Sequence, residues 1–277
     1  MQDSTSGDSR KSHQLELNID FAFGLVTYLW GKDWDLPTLI RNCEATGFRG
    51  VELRTTHAHG VEPELDRRQR AEVKDRFAAS PVELVGLGSD ERFDSPDPDK
   101  LARAIQRTRE FIELSHDVGG SGVKVKPDSF HQGVDRQQTI EQIGKSLNEL
   151  AEFGEGFGQE IRLEVHGQCA ELPIIARIME IADHSNAGVC WNCNSEDLQG
   201  QGLEYNFDLV QSRLARTVHV RELNNTQYPY RKLFELLRAS DFVGWVLLEA
   251  RTAPDDRVAA MKEQMALFLK MNQENNK

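Results

Sequence analysis

From about residue 20 onward, short apolar runs alternate with amphipathic stretches along the chain. The first run, FAFGLV (21–26), precedes a helical stretch bounded by Asp35, an N-cap type residue, and Gly47, a C-cap type residue. GVEL (50–53) is followed by a charged helix near 65–79, and VELVGL (82–87) by a helix over 99–116. In the latter, Leu101, Ile105, Phe111 and Ile112 form one stripe. VKV (123–125) leads to a helix over 137–153 in which Ile140, Ile143, Leu147 and Leu150 recur at helical spacing. IRLEV (161–165) precedes a helix carrying Leu172, Ile175, Met179 and Ala182, and AGVCW (187–191) a shorter helix near 207–214. TVHV (217–220) precedes a helix over 230–240, and GWVLLE (244–249) a closing helix from Pro254 to about Met271.

Alternating β and α elements with short connections predict a parallel sheet covered by helices. An open doubly wound sheet usually carries G-x-G-x-x-G after its first strand, and no such motif is present. Eight units in a chain of 277 residues match the usual size of a closed barrel. The expected fold is therefore a single α/β domain, a (β/α)8 TIM barrel over 16–277, with a polar, disordered tail over 1–15.

Composition narrows the partners. Acidic residues number 45 and basic residues 33, a formal net charge of −12, which opposes binding to phosphate backbones or anionic lipid. No run reaches the ~20 apolar residues of a membrane-spanning helix, and the first fourteen residues lack the apolar centre of a signal peptide. The four cysteines do not make a disulfide framework. A cytoplasmic protein acting on a small molecule, with no nucleic-acid or membrane partner, is expected. Pairing of barrel faces leaves a homo-oligomer open.

In a barrel the chemistry gathers where the strands end, because the following loops surround one mouth. Strand two ends in Glu52 and Arg54, with His57 and His59 in a polar loop that is expected to be solvated. Strand four carries Lys124 and Lys126, strand five Glu164 and His166, strand six Asn192 and Asn194, strand seven His219 and Arg221, and strand eight Glu249 and Arg251. Residues two apart share a face of a strand. Such charged pairs cannot all point into the helix layer, where burying charge is costly, so they are expected to face a solvated mouth. Two carboxylates, a histidine and an amide from four consecutive strands then converge. Glutamate oxygens and an imidazole nitrogen are ligands for one divalent ion of the Mn²⁺, Mg²⁺, Co²⁺ or Zn²⁺ class. Cys190 and Cys193 form C-x-x-C, but without a second pair they read as buried thiols.

The ordered segments LEVHG (163–167), GVCWN (188–192), TVHVRE (217–222) and GWVLLEAR (244–251) resemble the sugar isomerase/epimerase superfamily of xylose isomerase-like TIM barrels, and GFRGVELR (47–54) matches that family's second strand. The resemblance implies a metal held by Glu164, Asn192, His219 and Glu249, with the two glutamates as the acid/base pair. Arg221 would contact substrate hydroxyls or phosphate. His166, Lys124, Lys126 and Glu52 are further candidates for substrate contact. The chain departs from the pattern at Asn192, where the family usually has Asp, and at Ser195, where relatives often carry His or Asn. The activity implied is isomerisation or epimerisation of a small sugar, keto-sugar or polyol through a cis-enediolate. Its rivals are a keto-inositol dehydratase on the same fold and a sugar-binding barrel without catalysis. DNA repair by an AP endonuclease of this fold would need a His-rich zinc cluster and a basic face.

Overall fold

A computed structural model describes residues 21–273; the expected tail over 1–15 lies outside them. Eight strands alternate with helices: β1 (Phe21–Val26), α1 (Leu36–Thr46), β2 (Gly50–Arg54), α2 (Arg67–Ala78), β3 (Glu83–Arg92), α3 (Pro98–Val118), β4 (Gly122–Lys126), α4 (Arg136–Glu155), β5 (Glu160–Glu164), α5 (Leu172–Ile181), β6 (Ala187–Asn192), α6 (Leu203–Asp208), β7 (Leu214–Val220), α7 (Tyr230–Ala239), β8 (Gly244–Leu248) and α8 (Arg257–Gln273). Every neighbouring pair of strands is parallel, and β8 returns to β1 to close the barrel. The fold is the expected (β/α)8 barrel. No described helix is long and apolar enough to cross a membrane.

Aspartates start four of the helices: Asp35, Asp66, Asp97 and Asp135 each accept a hydrogen bond from a backbone N–H of the first turn, satisfying donors the helix itself leaves free. Gly47 and Gly119 end α1 and α3 in the left-handed region. The apolar stripe of α4 lies against the barrel, with Ile140, Ile143, Leu147 and Leu150 all buried.

Two elements differ from the sequence reading. The helix expected over 207–214 lies earlier, at Leu203–Asp208, and Leu214 begins β7 instead. β3 runs on past Leu87 to Arg92, so a polar GSDER segment extends this strand into the mouth.

The hydrophobic core is overwhelmingly the shell between strands and helices. Inside the barrel the small buried apolar cluster among the described residues is Val26, Val85 and Leu247, with Tyr28 and Trp245 against it. The rest of the interior is polar. Toward the strand N-termini the Arg162 guanidinium fills it, donating to Glu160, the Val85 carbonyl and the Ser121 hydroxyl. Gly122 makes room for this: a Cβ there would lie 2.8 Å from the guanidinium carbon. Above this plug, toward the strand C-termini, lies a layer of charge.

Candidate active site

Glu164 ends β5, Asn192 ends β6, His219 sits one residue before the end of β7, and Glu249 follows β8 directly. All four are buried. One ligand atom from each of Glu164, His219 and Glu249 lies within 4.8 Å of the other two. Asn192 Nδ2 donates to Glu164 Oε1 at 2.8 Å. The remaining Asn192 Oδ1 and the His219 Nδ1 are buried without a partner. Orphaned buried polar atoms are uncommon, and a bound ion or water is one group that satisfies them. The donor set of two carboxylates, an imidazole and an amide oxygen suits a divalent ion that retains open positions.

The cluster is also threaded with the chain's own cations. Lys124 of β4 is 3% exposed, and its Nζ lies 2.7 Å from Glu164 Oε2. That contact is an ion pair off the hydrogen-bonding direction, and the ammonium also donates to the Ser89 carbonyl at 3.3 Å. Glu52 of β2 is fully buried, with Oε2 3.3 Å from His219 Nε2. Burial alone would push each of these groups toward neutrality, but their mutual attraction outweighs it. Burial raises the Glu164 carboxyl and the charges of Lys124, His219 and His166 bring it below its ordinary value; burial lowers Lys124 and the Glu164 and Glu52 carboxylates raise it. His219 is likewise raised, burial being overcome by the Cys190 side chain and Glu52. The Glu249 backbone N–H donates to the Val220 carbonyl at 2.7 Å, but its side chain makes no hydrogen bond or salt bridge among the described residues, although its charge acts on Lys124.

His166, Asn194, Arg221 and Arg251 all line a cavity of about 470 Å³, together with Tyr228 and Tyr230. Each of the first four lies two residues further along its chain segment than a member of the buried set, which itself does not line the cavity. Arg221 donates to Asn194 Oδ1 at 2.9 Å, and its Nε is unpartnered. His166 Nδ1 meets Asp128 Oδ1 at 2.7 Å. Asp128 itself is held by Arg92 at 2.7 Å, and its carboxyl lies below its ordinary range chiefly because of the His166 hydrogen bond. Its backbone adopts φ 66°, and Gly167 at φ 70° packs so closely that a Cβ there would lie 2.4 Å from the Asp128 carbonyl oxygen.

The predicted residues therefore divide. Glu164, Asn192, His219, Glu249, Lys124 and Glu52 form one buried cluster, with His166 and Arg221 in the cavity wall. Lys126 does not join them: its Nζ is committed to Asp90 Oδ1 at 2.7 Å, at the end of β3. The loop histidines are not solvated as expected. His59 is buried, with one ring nitrogen against the Arg54 carbonyl and the other accepting from the Val61 N–H. His57 is half-buried against Thr27, and burial, with His59 and Arg54 nearby, lowers its pKa to about 4. The chain reading had no place for Asp90, Asp128 and Asp197. The first two lie where a polar segment reads as loop; Asp197 lies under the cavity floor, accepting from the Tyr228 hydroxyl, which in turn accepts from Trp191 Nε1.

Comparison with known proteins agrees with this architecture. The structure superposes on the apo form of 3-keto-D-glucoside 4-epimerase YcjR from E. coli with a TM-score of 0.76 at 16% identity, covering 90% of this chain and 99% of that one. A zinc-bound IOLI protein gives a TM-score of 0.77 at 14% identity, covering 92% and 99%. An L-ribulose 3-epimerase gives 0.76 at 15%, covering 92% and 95%. At these identities the likeness is one of fold. No curated protein matches the chain significantly in sequence. The profile of the xylose isomerase-like TIM barrel matches residues 40–271, and the chain belongs to that family.

Proposed function

We propose that this protein isomerises or epimerises a small sugar, keto-sugar or polyol-derived ketone by moving a proton at a carbon next to a carbonyl. The observation that carries the reading is the convergence of Glu164 and Glu249 on His219, with ligand atoms within 4.8 Å, two residues along the chain from hydrogen-bonding side chains that line a cavity. Proton abstraction beside a carbonyl needs a base at one face of the carbon, stereochemical inversion needs an acid at the other, and two carboxylates can fill both roles. Glu249, whose side chain makes no hydrogen bond among the described residues, would take the proton to give a cis-enediolate; Glu164 would return one. Arg221 and His166, from the cavity wall, would orient the substrate's hydroxyls.

Glu164, Asn192, His219 and Glu249 would hold a divalent ion, and the unpartnered Asn192 Oδ1 and His219 Nδ1 support that assignment. Bound there, the ion would supply Lewis acidity toward the substrate's carbonyl and adjacent hydroxyl oxygens.

The test is incubation in D₂O with L-ribulose, D-psicose, a 3-keto-D-glucoside and a keto-inositol, read by NMR and mass spectrometry. Deuterium at the carbon beside the carbonyl, lost in Glu249→Gln, is expected. A dehydrated product would replace this reading with the lyase. Binding of a sugar without exchange into any of them would replace it with a binding barrel.

A further inference from the structure

The layer that would receive a divalent ion already contains a cation. Lys124 Nζ sits 2.7 Å from Glu164 Oε2, and both side chains are buried, at 3% and 2% exposure. The opposite oxygen of Glu164 accepts from Asn192 Nδ2 at 2.8 Å. Both oxygens of a candidate ligand are thus engaged from within the chain. The ammonium is not a stray surface group that found a carboxylate: it projects inward from β4, is held by the Ser89 carbonyl of neighbouring β3 at 3.3 Å, and also feels Glu52 and Glu249. Gly88 opens the space between them, since a Cβ there would lie 2.9 Å from Glu52 Oε1 and 3.5 Å from Lys124 Cε. Three buried carboxylates without a counter-charge would be prohibitively costly. Lys124 supplies part of that charge from inside the protein.

We infer that Lys124 is a built-in competitor of the divalent ion: ammonium and ion share Glu164, and the ion binds only by displacing Lys124 from it. This rests on the metal-site reading above. A doubly charged ion on Glu164 would lie beside the ammonium in a water-poor interior, where their repulsion is poorly screened. The neutral amide at Asn192 belongs to the same arrangement. Where Asp would add a negative charge against Glu164, Asn donates a hydrogen bond to it.

The experiment is calorimetric titration of Mn²⁺, repeated with Co²⁺ and Zn²⁺, into chelator-treated wild type, Lys124→Met, Lys124→Arg and Asn192→Asp, with circular dichroism to verify folding. Lys124→Met is expected to bind at least about thirtyfold more tightly than wild type, because the nearby like charge is gone, while Lys124→Arg stays weak. Asn192→Asp, which keeps the ammonium, is expected to gain less than tenfold. It also serves should Lys124→Met fail to fold, since a gain of a thousandfold in Asn192→Asp would show that the ammonium is no obstacle and overturn the inference. Stoichiometric, tight binding by wild type, unchanged in folded Lys124→Met, overturns the competition but leaves the metal site standing. Binding by none of the four proteins overturns both. Deuterium exchange, measured separately, tests the isomerase reading independently of all these outcomes.

Discussion

Asp197→Asn is expected to change how stability depends on pH, and the size of the change follows from one buried carboxyl. Asp197 is fully buried. Its Oδ2 accepts from the Tyr228 hydroxyl at 2.7 Å and the Asn194 N–H at 3.0 Å, while Oδ1 has no partner. Burial raises its pKa from 3.8 to about 7, the Tyr228 and Asn194 hydrogen bonds opposing it. The folded chain therefore holds this proton more tightly than the unfolded chain. The group's favourable contribution is complete below pH 3.8 and is lost as pH rises through about 7. Integrated between about pH 5 and pH 8.5, the loss is roughly 2–3 kcal/mol. An asparagine can accept the same two hydrogen bonds and does not titrate, so it lacks this slope, although its NH₂ group in the unpartnered position carries a fixed cost. Urea denaturation of both proteins at the two pH values isolates the effect, because any pH-independent cost cancels in the difference. Wild type should lose stability relative to Asp197→Asn by that amount on going to the higher pH. Parallel pH dependences in the two proteins would refute the argument that burial dominates over the Tyr228 hydrogen bond.

Other perturbations separate the roles of neighbouring groups. Glu164→Gln removes the partner of a buried ammonium and should cost roughly 3–5 kcal/mol in denaturant unfolding, whereas Glu249→Gln should stay within about 1 kcal/mol; both should abolish deuterium exchange into substrate. All four cysteines are free and buried, and burial pushes Cys43 and Cys169 up to about 12. An aromatic disulfide reagent should therefore find no reactive thiol in the native protein and four after denaturation. Gly122→Ala would drive a methyl into the Arg162 guanidinium and the Glu160 carbonyl, the latter 2.6 Å from the added Cβ. The melting temperature should fall by an amount corresponding to roughly 1–3 kcal/mol of overpacking.

The barrel was legible in the sequence because parallel strands covered on both sides read as apolar runs, and because Asp and Gly punctuate the helices between them. The two misplaced boundaries have local causes. In 207–214, Phe207, Val210 and Leu214 have helical spacing, yet Leu214 starts β7 and Leu203 with Phe207 forms the buried side of α6. In β3 the polar end Ser89–Arg92 faces the mouth, so hydrophobicity could not mark it. Strand register placed Glu164, Asn192, His219 and Glu249 at strand ends, and the family resemblance singled them out as one set. What that set pairs with was not legible. Lys124 and Lys126 share a face of β4, but Lys124 reaches across to Glu164 on β5 and Lys126 back to Asp90 on β3. Which neighbour a long side chain chooses depends on barrel radius and on the glycines around it, neither of which a pattern of residue types encodes.

The identities at positions 124 and 192 are best understood together. Asn192 Nδ2 lies 2.8 Å from Glu164 Oε1, so an aspartate at that position would place two carboxylates in buried contact. Such a pair is tolerable with a divalent ion between them or a shared proton, and otherwise strongly unfavourable. With Lys124 on the far oxygen of Glu164 and an amide on the near one, the carboxylate is stabilised without any added ion. The polar interior is thus self-compensating: Lys124 answers Glu164, His219 answers Glu52, and Asn192 avoids adding a further charge. Glu249 is the member whose side chain makes no hydrogen bond or close ion pair of its own among the described residues; it shares the charge of Lys124 with Glu164 and Glu52. On the proposed function, Glu249, whose side chain is tied to no hydrogen-bond partner, is the carboxylate that would take the substrate proton.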